Sequence, residues 1–162
     1  MALNLCHPWV GNTHYNLAMS STFHSHSVDQ TEQIAAELAA TLRPGDCLAL
    51  HGDLGAGKTQ FVRGLVRAYG GHERAVSSPT FVLLNCYPTP RGTIFHLDAY
   101  RISGPADLEA IGFEELLQQN GLVVVEWASR VESLLPPGTI QVTLTPTAAA
   151  DRRIEILHPD LS

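Results

Sequence analysis

The sequence predicts an α/β fold, a three-layer protein in which helices cover a sheet that is parallel in its core and extended by antiparallel strands. Short apolar runs alternate with helical patterns along the chain. The run Leu122–Glu126 is β-branched and lacks polar alternation, which is typical of a central strand covered on both faces. Residues 139–145 and 152–157 do alternate, so they predict a final antiparallel hairpin.

The first half of the chain contains an irregular segment followed by regular elements. Residues 1–27 are rich in His, Ser and Asn and have no helical or strand period, so we expect a disordered N-terminal extension and then a single domain over residues 28–162. A helix is expected from a cap at Ser27 or Asp29 to about Leu42. The next expected elements are a buried strand at residues 46–51, a glycine-rich turn at 52–59 and a helix at 58–69.

The second half continues the alternation of strands and helices. Glycine and proline separate its apolar segments, as is usual at the ends of regular elements. The expected elements are strands at residues 81–87 and 93–100 joined by a loop of hairpin length, a helix at 103–119, the central strand, and a short helix at 128–135.

Composition restricts the classes of function. The chain has 162 residues, of which 44% are hydrophobic and 16% charged, and this suits one globular domain. The net charge of −6 excludes a protein that grips a nucleic-acid backbone over a wide surface, so nucleic acid is expected to be held by a partner. No run reaches the roughly 20 apolar residues of a membrane span, and no secretory signal is recognisable. We therefore expect a cytoplasmic protein without membrane contact.

One motif carries the strongest chemical signal. Between the first predicted strand and its helix, the sequence matches G-x-x-x-x-G-K-[ST], a loop that surrounds nucleotide phosphates; the alternative is a glycine-rich turn that matches by chance. The glycines let backbone N–H groups point inward, and the helix N-terminus adds positive potential. Lys58, the only lysine of the sequence, supplies charge to the β- and γ-phosphates, and Thr59 offers a hydroxyl to Mg²⁺. The nucleotide-binding residues expected here are Gly52, Asp53, Leu54, Gly55, Ala56, Gly57, Lys58 and Thr59.

Two carboxylates are candidates for binding the metal and for handling water. Asp98 and Glu126 each end a strand-like run, and ligands of open α/β sheets bind beyond the carboxyl ends of the strands. The residue types do not decide which of the two holds Mg²⁺. Thr80 fits either a turn or a switch loop near the γ-phosphate. His96 lies inside an apolar run and fits simple packing in the sheet.

Three further side chains have several interpretations. Trp127 is suited to stacking on a base, contacting a partner or filling the core. Arg152 is one of several arginines able to reach a phosphate. Thr31 fits either a nucleotide contact or the first turn of a helix.

The set of motifs resembles that of one family, TsaE, formerly called YjeE, over about residues 28–157 and in the family's order. The resemblance implies a P-loop NTPase-like sheet and a Mg²⁺-dependent ATPase, weak alone, that binds the TsaB–TsaD heterodimer. It supports threonylcarbamoyl transfer to adenosine 37 of tRNA, which TsaD performs, so tRNA is contacted indirectly. The extension 1–27 departs from the family pattern. The matching segments are residues 51–59 (HGDLGAGKT), Arg63-Gly64, Ser78-Pro79-Thr80-Phe81, 96–101 (HLDAYR), 107–116 (DLEAIGFEEL) and Val125-Glu126-Trp127.

The resemblance also implies roles for single residues. The phosphate loop binds ATP, and the remaining roles fall to side chains outside or at the end of the loop. The implied catalytic residues are Glu126, Lys58, Asp98 and Thr80; the implied Mg²⁺ residues are Thr59, Glu126 and Asp98; the implied further contacts are Trp127, near the nucleotide or the partner, and Thr31 and Arg152, at the outer part of the nucleotide.

Two other functions are open alternatives. A small P-loop kinase needs an acceptor pocket and an arginine-rich lid, whereas the arginines of this sequence are scattered. A nucleotide-gated binding module needs no hydrolysis at all. A GTPase is disfavoured because the sequence contains no Asn-Lys-x-Asp motif.

Overall fold

The computed structural model describes residues 19–159, which form a seven-stranded sheet and several helices. The strands are β1 (Met19–Ser25), β2 (Cys47–His51), β3 (Leu84–Tyr87), β4 (Ile94–Asp98), β5 (Leu122–Glu126), β6 (Ile140–Pro146) and β7 (Arg152–His158). The α-helices are α1 (Val28–Ala39), α2 (Lys58–Ala68), α3 (Pro105–Ala110) and α4 (Phe113–Gln118). Short 3-10 turns lie at Glu73–Ala75, Ala99–Arg101, Ala128–Arg130 and Glu132–Leu134.

The sheet has the order β1-β7-β6-β2-β5-β4-β3. Strands β6, β2, β5 and β4 are parallel neighbours. Strand β3 pairs antiparallel with β4, and β6, β7 and β1 form an antiparallel extension on the other side. The predicted class, a parallel core with antiparallel additions, is confirmed.

The central strands bury both of their faces. Leu48 and Val124 belong to the apolar cluster that includes α1 and α2, whereas Ala49 and Val125 belong to the cluster that includes α3 and α4. Successive residues of a strand point to opposite faces. This explains why Leu122–Glu126 shows no polar alternation, and it gives the three layers that the sequence predicts.

Close packing of two helices fixes the direction of α2. Gly64 of α2 lies so near α1 that a Cβ added there would collide with the backbone oxygen of Glu32. Arg67 Nη1 donates to Glu32 Oε2 at 3.0 Å beside this contact. The helix that follows the phosphate loop therefore packs directly on the backbone of Glu32 and the Cβ of Ala35 in α1.

The expectation that the extension is disordered as far as residue 27 is wrong for residues 19–25. They form β1, an edge strand that pairs antiparallel with β7 along its whole length. Its side chains are mostly polar and only Phe23 packs against the core, so the sequence shows no strand pattern. Ser27 caps α1 as predicted, because its side chain accepts from the Gln30 N–H at 3.1 Å. The rest of the predicted extension, 1–18, lies outside the described residues.

The helices predicted in the second half of the chain lie where expected, but each predicted helix is divided into two shorter elements. Gly112, with φ +69°, separates α3 from α4, so the helix expected over residues 103–119 is divided. The short helix expected at 128–135 is a pair of 3-10 turns. Strand β3 is shorter than predicted because Leu83 N–H bonds to Pro79 O at 2.7 Å in a turn. None of the helices within residues 19–159 has the length and apolar character needed to cross a membrane.

Candidate nucleotide site

The phosphate loop connects β2 to α2 at the carboxyl edge of the parallel strands. Gly55 and Gly57 have φ of +79° and +103°, in the left-handed region that favours glycine. Gly57 is the N-cap of α2, and no side chain among residues 19–159 caps this helix. The first N–H groups of α2 are therefore available to an anion, and the helix dipole favours one there.

Lys58 holds a buried positive charge at this helix start. Only 5% of the residue is exposed. Its ammonium donates to the backbone oxygens of Gly52, at 2.6 Å, and Asp53, at 3.0 Å, and lies 4.2 Å from the centre of the Trp127 ring. Burial lowers the pKa of Lys58, and nearby carboxylates, Glu126 foremost, act in the opposite direction. Within residues 19–159 no carboxylate forms an ion pair with Lys58, so the site has room for an external anion.

Glu126 ends β5 and contacts the residue that follows the lysine. Its Oε1 accepts from the Thr59 hydroxyl at 2.9 Å and lies 2.8 Å from His96 Nε2. The residue is only 3% exposed. A hydroxyl and carboxylates are the oxygen donors that Mg²⁺ prefers, so Thr59 and Glu126 together fit a magnesium site.

Asp98 ends β4 directly beside Glu126, because the two residues are register partners in the parallel pair. Its Oδ2 accepts from the Thr80 hydroxyl at 2.7 Å, and its Oδ1 accepts from the Tyr100 N–H at 2.8 Å. Thr80 is thereby held at the same sheet edge as the phosphate loop. The structure brings together both carboxylates and the hydroxyls of Thr59 and Thr80, all of which the sequence singles out.

An open cavity of about 370 Å³ lies among these groups. The phosphate loop, the segment around Thr80 and the ends of β5 and β7 contribute to its walls. It is lined by Val28, Leu54, Gly55, Gly57, Lys58, Thr59, Gln60, Ser78, Thr80, Glu126, Trp127 and Arg152. Its walls thus contain two cations, hydroxyls, a carboxylate and an aromatic ring, and the polar groups among them are of the kinds that bind a magnesium-bound nucleotide.

Trp127 follows Glu126 in a backbone conformation that is uncommon for a large side chain. Its φ is +56°, and its ring centre lies 5.2 Å from that of Tyr100. The unusual φ turns the chain immediately after β5, so that the indole lines the cavity beside Lys58. Strained backbone of this kind is concentrated at functional sites.

Arg152 and Thr31 have different positions. Arg152 lies against Gly57, where its Nη1 would collide with an added Cβ, and donates to Ala56 O at 3.4 Å. Thr31 is fully buried and does not line the cavity. Its hydroxyl contacts Ser25 Oγ at 2.8 Å and donates to Ser27 O at 3.2 Å, so it fastens the start of α1 to β1.

Sequence reasoning missed His96 as a member of the site. It is fully buried within β4, and its second ring nitrogen, Nδ1, lies 3.3 Å from the Tyr87 hydroxyl. The detectable signal was an ionisable residue in the centre of an otherwise apolar strand, two positions before Asp98. Its contact with Glu126 follows from the strand pairing, which the sequence does not give.

A larger cavity of about 590 Å³ lies beside α3 and α4. The charged residues lining it are all acidic: Glu109, Glu114 and Glu115. A cavity without a cationic side chain does not suit phosphate. The smaller cavity at the phosphate loop is therefore the candidate nucleotide site.

Comparisons with known proteins identify relatives of the chain. The family model "TsaE: Threonylcarbamoyl adenosine biosynthesis protein TsaE" matches residues 25–154. The chain is 41% identical over 119 residues to the Rickettsia conorii "tRNA threonylcarbamoyladenosine biosynthesis protein TsaE", covering 74% of this chain and 67% of that protein. It is 37% identical over 132 residues to the protein of the same description from Treponema pallidum, covering 82% and 96%.

A solved structure supports the same relationship. The chain is similar to the "Crystal structure of Bacillus subtilus YdiB" with a TM-score of 0.70 and 28% sequence identity, over 90% of this chain and 88% of that one. The matched region of the family model contains the phosphate loop, both carboxylates, His96 and Trp127. The family model and the curated relatives show that the chain belongs to the TsaE family.

Proposed function

We propose that the protein is a Mg²⁺-dependent ATPase that binds a TsaB–TsaD heterodimer and supports the formation of threonylcarbamoyladenosine in tRNA. The observation that carries the proposal is the buried ammonium of Lys58. It lies at the uncapped start of α2 and is bound by backbone oxygens and an aromatic ring, not by a carboxylate. Such a cation is suited to the phosphates of ATP.

The phosphate loop would bind ATP through backbone and charge. The N–H groups at the start of α2 would receive phosphate oxygens, while Lys58 would exchange the carbonyls of Gly52 and Asp53 for the β- and γ-phosphates. Arg152, already against Gly57, would add a second cation from the start of β7. Trp127 lines the same cavity and offers a flat apolar surface to the nucleotide.

Magnesium is expected at the hydroxyl of Thr59, with Glu126 and Asp98 as the neighbouring carboxylates. When bound, Mg²⁺ would neutralise phosphate charge that develops during the transfer. Both Asp98 oxygens accept hydrogen bonds from Thr80 or from Tyr100 N–H. Within residues 19–159, by contrast, no hydrogen bond reaches Glu126 Oε2. We therefore assign the orientation of water, and acceptance of its proton, to Glu126 through Oε2.

Exposed apolar side chains around the site support docking of a partner. Phe81 is 82% exposed, Val82 63% and Leu54 90%. Phe81 and Val82 directly follow Thr80, and Leu54 belongs to the phosphate loop. We define Leu54, Phe81 and Val82 as the rim surface. Large apolar residues grouped at a site are typical of contact surfaces, and TsaB–TsaD is the expected partner. The net charge of −6 agrees with tRNA being held by that partner.

Calorimetry tests the binding part of the proposal. We expect magnesium–ATP to bind the wild-type protein and Lys58→Ala to weaken that binding by about tenfold or more, because hydrogen bonds to a charged group contribute about 1.5–3 kcal/mol. Arg74→Ala, in the 3-10 turn Glu73–Ala75 away from the lining of the cavity, is the control. Absence of binding to the folded wild-type protein would overturn the proposal. Release of phosphate from ATP without any acceptor, increased by TsaB–TsaD, tests the hydrolytic part and contradicts a kinase.

A further inference from the structure

A buried chain of hydrogen bonds connects Glu126 to the segment of residues 77–80. We propose that His96 is a positioning residue for Glu126, held in turn by Tyr87, and that it couples the orientation of the carboxylate to the position of that segment. The inference rests on the proposed function, since Glu126 is the group assigned to water there. It adds a residue that acts through the carboxylate and touches no substrate.

The geometry places His96 behind the carboxylate, away from the cavity. His96 is fully buried and does not line the cavity, whereas Glu126 does. In β4, residues 96 and 98 share one face, and the parallel register sets Asp98 opposite Glu126. The side chain of Glu126 thus reaches back to His96 Nε2 at 2.8 Å while remaining next to Thr59.

Hydrogen-bond accounting defines the tautomer of His96. An ionised carboxylate has no proton to donate, so the 2.8 Å contact with Glu126 requires the proton on Nε2. In the neutral ring, Nδ1 is then an acceptor, and the Tyr87 hydroxyl lies 3.3 Å from it. That hydroxyl has one proton, for which Nδ1 competes with the Ser77 carbonyl oxygen at 3.1 Å. The ring cannot turn over without losing a donor to a buried carboxylate.

Tyr87 also binds the segment that carries Thr80. Its hydroxyl lies 3.3 Å from the Ser77 N–H and 3.1 Å from the Ser77 carbonyl oxygen. Asn85 Nδ2 donates to that same carbonyl oxygen at 3.1 Å. At the other end of the segment, Thr80 is held by Asp98. If residues 77–80 moved, the Tyr87 hydroxyl would lose its partners at Ser77, and its hydrogen bond with His96 Nδ1 would change. The hydrogen bond from His96 Nε2 to Glu126 would then change as well.

Simple core packing does not explain this arrangement. A histidine ring that only fills the core needs space and hydrogen-bond partners for its nitrogens. Backbone groups could be those partners as well as a carboxylate of the site. Here one partner is the site carboxylate Glu126 and the other is Tyr87 of β3, which contacts Ser77 in the segment of residues 77–80. Residues that bind a metal are commonly oriented by hydrogen bonds from outer residues. Loss of such an outer residue typically reduces metal affinity or activity about 10–100-fold.

The tautomer is testable in the nucleotide-free protein. Long-range ¹H–¹⁵N spectra of the imidazole nitrogens at pH 8 are expected to show His96 protonated at Nε2 and bare at Nδ1. His96→Gln identifies the resonances by their disappearance. A proton on Nδ1 would overturn the assignment. This measurement needs no ATP. If the wild-type protein failed to hydrolyse ATP, the proposed function would be refuted, but the test of the tautomer would still be valid.

Two substitutions at one position separate positioning from packing. The amide of Gln reaches about as far as Nε2 and can donate to Glu126, whereas Leu fills the volume without a donor. We expect His96→Leu to lower kcat about 10–100-fold with the Kd for nucleotide almost unchanged, and His96→Gln to recover most of kcat. Equal losses in the two variants, or losses that appear in Kd and not in kcat, would contradict the proposal. Thermal denaturation verifies that both variants are folded at the assay temperature.

Removing the Tyr87 hydroxyl tests the coupling. Tyr87→Phe is expected to lower kcat severalfold in the wild-type background and clearly less in His96→Leu, because the part of its influence that passes through His96 is already lost there, while its bonds to Ser77 are not. Independent, multiplicative losses in the double variant would show that Tyr87 does not act through His96, and would overturn the coupling.

Discussion

Asp98 and Glu126 are register partners at the ends of β4 and β5, yet their oxygens are engaged differently. Both oxygens of Asp98 accept hydrogen bonds from the segment around it, one from the Thr80 hydroxyl and one from the Tyr100 N–H. Glu126 receives Thr59 and His96 on a single oxygen. Two carboxylates that look equivalent in the sequence therefore differ in the structure: Asp98 anchors the Thr80 segment through both oxygens, whereas no hydrogen bond within residues 19–159 reaches Glu126 Oε2.

This difference predicts different kinetic effects of two isosteric substitutions. Glu126→Gln removes the carboxylate to which we assign the acceptance of a proton from water, so we expect kcat for ATP to fall about 10²–10⁴-fold while the Kd for nucleotide changes little. Asp98→Asn keeps one oxygen as an acceptor and replaces the other with an amide group that cannot accept. We expect this change to loosen Thr80 and to raise the KM for ATP. Steady-state hydrolysis and calorimetry measure both. Glu114→Gln, on α4, is the matched control. Full turnover by Glu126→Gln would refute its assignment.

The close approach of α2 to α1 predicts a large loss of stability for a small change. Gly64→Ala places a methyl group into the backbone oxygen of Glu32, and because this obstacle is backbone the helices must separate. Overpacking of this kind costs about 1–3 kcal/mol, seen as a lower urea midpoint. Gly104→Ala is the control, because its Cβ meets nothing within 4 Å and its φ of 174° is extended. Similar midpoints for both variants would contradict the packing.

The thiol of Cys47 predicts a loss of stability at alkaline pH. Burial raises the pKa of Cys47 to about 12, from 9.0 for an exposed thiol, so between these values the unfolded chain releases a proton that the folded chain keeps. The contribution of this neutral thiol to the free energy of unfolding is fully present below pH 9. It decreases as the pH rises toward 12, by about 1 kcal/mol for each pH unit. Urea midpoints of the wild type and Cys47→Ala at pH 8 and 10.5 measure it. The wild type should show the steeper decrease; parallel decreases would exclude Cys47 as a cause.

The rim surface predicts a defect in partner binding that leaves the nucleotide site intact. Phe81→Ser and Val82→Ser remove apolar area from exposed side chains, so we expect weaker capture of the TsaB–TsaD heterodimer. Basal ATP affinity serves as the internal check, because neither residue lines the cavity. Leu157→Ser changes a partly exposed apolar residue of β7 elsewhere and is the matched control. Unchanged capture by Phe81→Ser and Val82→Ser would place the partner on another face.

Sequence reasoning was most effective where the signal was local. The phosphate loop has fixed spacing and correct flanks, and Leu122–Glu126 is apolar on both faces, so the loop and the central strand were predictable from short windows. His96 was not, because its role depends on which residue of β5 lies near it, a matter of register. Strand β1 was missed for a related reason, since polar side chains on an edge strand leave no pattern and only pairing with β7 defines it.

The division at Gly112 shows a different limit. The apolar spacing on both sides is helical, and a glycine within a helix is often tolerated. Its φ of +69° ends the first helix, and Leu108 before it and Phe113 after it are both buried in one apolar cluster. The period alone therefore predicts one helix where the fold has two.

The position of β1 also bears on how the protein should be produced. A shortened version starting at the Ser27 cap would strip β7 of its neighbour along seven residue pairs, from Met19 with His158 to Ser25 with Arg152. The bare β7 edge would then be open to pairing with a second copy of the chain, and the same cut would release Arg152 from the strand that steadies it beside the phosphate loop.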